Sequence, residues 1–177
     1  MIFFFGSVNG LIIFDPNDLF YNTTPPKVVI SGLKLFNREI DVFQEGTVLE
    51  KHISLTDIIR LNYKQNMVSF EFTAINMINP EKNQYAYKME GFDQDWHYVG
   101  TKREATYTNL DPGRYTFQVI ASNNDGIWNN TGQSIDVHIL PPWWMTWWFK
   151  IFSALAAVGI VVSFFLFRRQ IAFNHCA

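Results

Sequence analysis

The sequence predicts an all-β protein, an antiparallel β-sandwich of roughly immunoglobulin size, followed by a single transmembrane α-helix. Three observations carry this. Between Val28 and Leu140, apolar residues recur with period two in short runs separated by turn residues about every ten positions. No amphipathic helical period interrupts those runs. Beyond them, 17 residues without a charge, Ile151–Phe167, sit between a cluster of tryptophans and two arginines.

Taken in order, Phe3–Leu19 reads as two short apolar strands around a Gly-rich turn, with Asn9-Gly10 as the hairpin signal and Asp15-Pro16 as the break. A lone hairpin is marginal in water, so these strands need a partner sheet. Tyr21–Lys27 is polar and Pro-rich and reads as a linker. Strands are then expected at Val28–Phe36, Thr56–Tyr63 and Asn66–Ile75. In the last of these, Val68, Phe70, Phe72 and Ala74 alternate with Ser69, Glu71 and Thr73, one dry face and one wet. Gln84–Phe92 puts Tyr85, Tyr87 and Met89 on one face. Glu104–Leu110 is a short strand, and Asp111-Pro112-Gly113 a turn in which Pro presets φ. Arg114–Asn123 alternates Tyr115, Phe117, Val119 and Ala121; Asn123–Asn130 reads as a polar turn; Ser134–Leu140 alternates Ile135, Val137 and Ile139. The run Leu110–Tyr115 resembles the tyrosine corner of Ig-like and fibronectin type III domains, in which the Tyr hydroxyl bonds to backbone just upstream.

Charge narrows the function classes. Lys150, Arg168 and Arg169 are the only charged residues after Asp136, so the preceding part carries 11 basic against 16 acidic residues, a net charge of −5. That sign argues against nucleic-acid binding, which needs a basic face. The one cysteine, Cys176, excludes an intrachain disulfide and a cysteine zinc site. His52, His97, His138 and His175 fall in no metal-binding spacing. Asp93 and Asp95 flank Gln94 beside Trp96, but the oxygen ligands and glycine of a calcium loop are lacking, and a turn is the expected role. No phosphate loop or nucleophile motif is present. The expectation is therefore no enzyme, no catalytic residue, no metal and no cofactor. Trp96, Tyr98 and Trp128, in or beside turns, are candidates for stacking on a sugar; the alternative is that they cap the ends of the sandwich core.

Trp147–Phe167 is 21 residues, about 31 Å as a helix, close to a bilayer core. No polar stripe marks it as the core helix of a soluble domain. Trp143, Trp144, Trp147 and Trp148 form an aromatic belt at one end, and Arg168 and Arg169 close the other. The positive-inside rule then puts the C-terminus in the cytoplasm and the β domain outside. Pro141-Pro142 is a stiff hinge between them. The apolar start, Met1–Gly10, has no positive flank and is too short for a signal peptide, although the domain must be exported; a missing start or a fragment is the expectation.

With these residues laid out, "NQYAYKMEGFDQDW", "REATYTNLDPGRYTFQVIASNNDGIW", "PPWWMTWW" and "NMVSFEFTAINMINPEKN" together resemble the three-Tyr (Y_Y_Y) domain of bacterial hybrid two-component sensors, over nearly all of Val28–Trp148. The family tyrosines correspond to Tyr85 or Tyr87, Tyr107 and Tyr115. The opening hairpin is similar to the closing strands of the β-propeller that precedes this domain in such sensors. The resemblance implies a domain order of 1–20 propeller remnant, 21–27 linker, 28–140 three-Tyr sandwich, 141–150 hinge, 147–167 transmembrane helix and 168–177 cytoplasmic tail. It implies a homodimer through the sandwich in the bacterial inner membrane, an oligosaccharide ligand sensed upstream, and a histidine kinase beyond this chain. The function expected is the relay portion of such a sensor. The alternatives are a membrane-anchored carbohydrate-binding module, or a truncated sensor fragment without function.

Overall fold

The computed structural model describes residues 2–7, 10–15, 21–40 and 48–174. Strands β1 (Phe3–Ser7) and β2 (Gly10–Phe14) pair antiparallel, Phe3 opposite Phe14 and Ser7 opposite Gly10. The turn residue Asn9 and the breaker Pro16 lie outside the described residues, as do His175 and Cys176. The hairpin keeps large apolar side chains exposed, Phe4, Phe5, Leu11 and Ile13 among them.

The body of the chain is two sheets face to face. One has four strands in the order β4-β3-β6-β9, formed by β3 (Lys27–Leu35), β4 (Arg38–Glu39), β6 (Val68–Ile75) and β9 (Glu104–Tyr107). The other has five in the order β5-β11-β10-β7-β8, formed by β5 (Ile58–Asn62), β7 (Gln84–Glu90), β8 (His97–Gly100), β10 (Gly113–Ser122) and β11 (Trp128–Leu140). The period-two apolar residues meet between them. Val68, Phe70, Phe72 and Ala74 of β6 face Phe117, Val119, Ile135, Val137 and Ile139 of β10 and β11, all buried. At the centre Phe70 and Phe117, one from each sheet, stack with centroids 4.3 Å apart and planes 9° apart.

The fold differs from the expectation in three places. The sandwich is not wholly antiparallel, because β5 lies parallel to β11, with Asn62 beside Leu140. The chain passes from one sheet to the other between β4 and β5, so β5 arrives without a hairpin and can add in the parallel sense. His97–Gly100, read as part of a turn, is the edge strand β8. Asn123–Asn130 is a turn only as far as Ile127, and Trp128 already opens β11. The alternation there is broken by a bulge. Val119 pairs with Gln133 and Ala121 with Asn129, so three residues of β11 stand opposite one of β10. Gly132 sits in that bulge at φ +55°, and a Cβ on it would lie 2.3 Å from the Val119 carbonyl oxygen. The helix α1 runs Trp147–Asn174, through the expected span and past Phe167. Arg168, Arg169 and Gln170 are good helix formers and no Pro or Gly follows them.

Candidate functional site

The tyrosines quoted for the family pattern serve as fasteners. Tyr85, on β7, is buried, and its hydroxyl oxygen accepts the Ala74 N–H from β6 of the opposite sheet at 3.1 Å. Tyr107, on β9, crosses the other way and donates to Asp93 Oδ2 at 2.6 Å, just after β7. Tyr115 donates to the Asp111 carbonyl oxygen at 2.9 Å, closing a corner four residues upstream. Tyr87 packs its ring against Phe72, Phe117, Tyr107 and His97. Two of these hydroxyls therefore stitch the sheets together, because a buried phenol must find a partner and the opposite sheet supplies it. Burial raises the Tyr107 and Tyr87 hydroxyls above the usual phenol range, with the Asp93 charge adding to it. Tyr115→Phe is expected to lower stability by about 1 kcal/mol, the worth of one neutral hydrogen bond, in urea unfolding followed by circular dichroism.

Asp93 gathers more partners than Tyr107. Its Oδ2 also accepts the Met89 N–H at 2.8 Å, and its Oδ1 lies 3.1 Å from His97 Nε2. Burial alone would raise its pKa, but the hydrogen bonds from Tyr107, Met89 and His97 outweigh it, and the carboxyl is held below the usual value of 3.8. Asp93 is thus spent on closing the β7–β8 turn. Among the described residues no group of three or more His, Cys, Asp or Glu side chains is placed to hold a metal. His52 Nδ1 lies 2.8 Å from Ser54 Oγ, and His138 is half-buried on the outward register of β11.

The surface aromatics separate into a pair and a single residue. Tyr98, 70% exposed on β8, meets Trp128 edge to face with centroids 5.6 Å apart. Trp96 is half-buried just before β8. Tyr98 is thus largely open to solvent, with the Trp128 ring of β11 against it.

The two ends of the sandwich hold what sequence reasoning missed. Where the chain enters, the segment read as a linker is fastened. Asn22 N–H donates to Asp125 Oδ2 at 2.7 Å, and Asn22 Nδ2 donates to Asn76 Oδ1 at 3.3 Å. Buried Asn123 donates through Nδ2 to the Asn22 and Thr24 carbonyl oxygens, and Asn129 donates to the Pro26 carbonyl oxygen at 2.8 Å. Asn76 Nδ2 reaches Asn83 and Asn124. Six asparagines in the 22–129 span thus bind the incoming chain to the β6–β7 and β10–β11 turns. Asparagine density around 22, 76, 83 and 123–129 was the available signal.

Where the chain leaves, Leu140 ends β11, Pro141 is exposed and Pro142 is buried. A single 3-10 turn, Trp143–Met145, follows, and Thr146 donates its hydroxyl to the Trp143 carbonyl oxygen. α1 then begins at Trp147. Trp143, Trp144, Trp147 and Trp148 are all exposed around this junction. Residues Trp147–Phe165 are long and apolar enough to cross a membrane, and none of that stretch is buried. Arg168 and Arg169 lie in the continuing helix, beyond it.

Comparison with known proteins gives this arrangement relatives. Residues 76–140 match the Y_Y_Y domain. The chain is similar to histidine kinase P4 of Formosa agariphila, 31% identical over 168 residues, which is 95% of this chain and 12% of that protein's length. It is similar in structure to the extracellular domain of BT4673 of B. thetaiotaomicron, described as a hybrid two component system, with 28% identity and a TM-score of 0.63. The extracellular domain of BT3049, described in the same words, gives 27% and 0.61. Each of these two structural matches covers 79% of this chain and 19% of the relative's.

Proposed function

We propose that this chain, whose residues 76–140 match the Y_Y_Y domain and which is similar to a histidine kinase and to extracellular domains described as hybrid two component systems, is the portion that relays a signal from outside the cell to a kinase inside. The observation that carries the reading is the exit of the sandwich. β11, buried in the core at Ile135, Val137 and Ile139, passes through two prolines and one 3-10 turn into a helix able to cross a membrane. So short a connection leaves few free dihedrals, and a tilt of the sandwich must tilt or turn the helix. In this proposal residues 1–20 are the end of a propeller and 21–27 a connection. Residues 28–140 are the periplasmic sandwich, 141–150 the hinge, and the helix from Trp147 the span of the inner membrane. Arg168 and Arg169 on the cytoplasmic side support that orientation. The sandwich pairs with a second copy, and an oligosaccharide bound upstream favours one of two arrangements of the pair. The Asn-fastened entry segment supports this use, since a movement upstream reaches the sandwich without slack.

The test is a fusion of a histidine kinase after Asn174, with residues inserted one at a time between Thr146 and Trp147. Each insertion turns the helix by about 100°. Kinase output is expected to rise and fall with the number inserted. Output indifferent to phase and to changes at Pro141 and Pro142 overturns the relay.

The exposed Tyr98 ring against half-buried Trp128 favours a second reading, a membrane-anchored carbohydrate-binding module. The full chain in nanodiscs would then bind one member of an oligosaccharide panel and lose it on Trp128→Ala, with Trp96→Ala as a companion. No binding across the panel removes this reading.

A further inference from the structure

We propose that Tyr63 is a positioning residue that docks the sandwich onto the head of the membrane helix, as a second attachment beside the covalent one at Leu140–Pro142. This rests on the relay reading above and names the contact through which it acts. Four rings form an unbroken path from sandwich to helix. Tyr63 meets Trp144 at 5.1 Å and 78°, Trp144 meets Trp143 at 5.5 Å and 83°, and Trp143 meets Phe149 at 4.9 Å and 81°. All three are edge-to-face contacts, the geometry that the ring quadrupoles favour. Phe149 lies in the first turn of α1.

The path has a rigid base. Tyr63 stands in the turn directly after β5, and that turn is pinned at both ends: Asn62 N–H donates to Gln65 Oε1 at 2.8 Å, and Gln65 N–H donates to the Asn62 carbonyl oxygen at 2.7 Å. It also has a lever. β5 is an edge strand held parallel to β11, with Asn62 level with Leu140, so the two strands reach the junction side by side. A slide or twist of β5 against β11 moves Tyr63 against Trp144 while the covalent link stays fixed. The short covalent link limits the tilt of the helix, and the ring contact beside it selects one rotation among those the link still allows. The strength of the contact suits a switch. An edge-to-face pair favours the docked arrangement by roughly 2- to 10-fold, enough to bias two states and little enough for a ligand to reverse.

The experiment uses the full chain in nanodiscs, in a Cys176→Ser background, with spin labels on Arg114→Cys in β10 and Leu155→Cys in α1. Labelled chain is diluted with unlabelled chain so that each disc reports one intrachain distance. The unaltered pair of labels is expected to give one narrow distance distribution. Tyr63→Ala is expected to widen it at least twofold, and Tyr63→Phe to keep it narrow, since the contact uses the ring edge and not the hydroxyl. Trp144→Ala, outside the sandwich core, is expected to widen it equally, which answers any objection that Tyr63→Ala merely loosens the fold. An unchanged width in Tyr63→Ala or Trp144→Ala overturns the proposal, and so does equal widening by Tyr63→Phe. The distance readout involves no kinase. Failure of the fusion experiment with a Tyr63-dependent distance would refute the relay and leave the docking contact standing.

Discussion

Replacing Phe117 by alanine is expected to lower the stability of the sandwich by about 4 kcal/mol, the cost of removing a fully buried phenyl ring and leaving a cavity. Phe117 is fully buried and lies at the meeting point of the aromatic core. Its ring stacks on Phe70 at 4.3 Å and sits within 6.3 Å of Phe72, Tyr87 and Tyr107. These neighbours come from both sheets, and flat rings cannot close over the gap as aliphatic chains can. A domain of this size is stable by about 5–15 kcal/mol, so one ring is a large fraction of the total. Urea unfolding of the full chain in detergent measures it through the midpoint. Phe117→Leu should recover more than half of the loss. A cost under about 1 kcal/mol for the alanine variant would mean that the two sheets do not depend on this stack.

Asp93→Ala is expected to cost about 3 kcal/mol, because it orphans the Tyr107 hydroxyl and the Met89 N–H at once, each of which gives up a hydrogen bond to a charged acceptor. His97 adds little, being about half exposed. The same residue gives a pH signature. Its carboxyl is held below 3.8 in the folded state. The stability that its ionised form contributes is therefore fully present above that value and is lost as pH falls through the lower folded value. The stability difference between the parent chain and Asp93→Asn is expected to be constant from pH 5 to 7 and to shrink below about pH 4. A difference that grows on acidification would mean that Asp93 is not ionised in the folded chain.

The core was legible because its signal is local. Val68, Phe70, Phe72 and Ala74 declare their dry face by spacing alone, and the helix able to cross a membrane declares itself by the absence of charge from Ile151 to Phe167. Tyr115 was legible through the Asp-Pro-Gly turn before it, which sets the corner its hydroxyl closes. The bulge at Gly132 was not, since a bulge shifts the alternation and makes a strand look like a turn. β8 was hidden because four residues at a sheet edge, His97–Gly100, bury little and so need no apolar pattern. The parallel placement of β5 and the contact of Tyr63 with Trp144 join residues about 80 positions apart. No periodicity encodes such a meeting; only the folded sheet order brings it about.

A relay of this kind requires the sandwich and the end of the helix to lie on opposite sides of the membrane, and one measurement reads that directly. The chain has a single cysteine, Cys176, beyond the helix. Exposed Lys102, between β8 and β9, offers a second labelling position when changed as Lys102→Cys with Cys176→Ser. In intact spheroplasts of cells making either form, a membrane-impermeant maleimide is expected to modify the thiol at position 102 and to leave Cys176 untouched until the membrane is opened. Modification of Cys176 from outside, or protection of position 102 until lysis, would contradict the account.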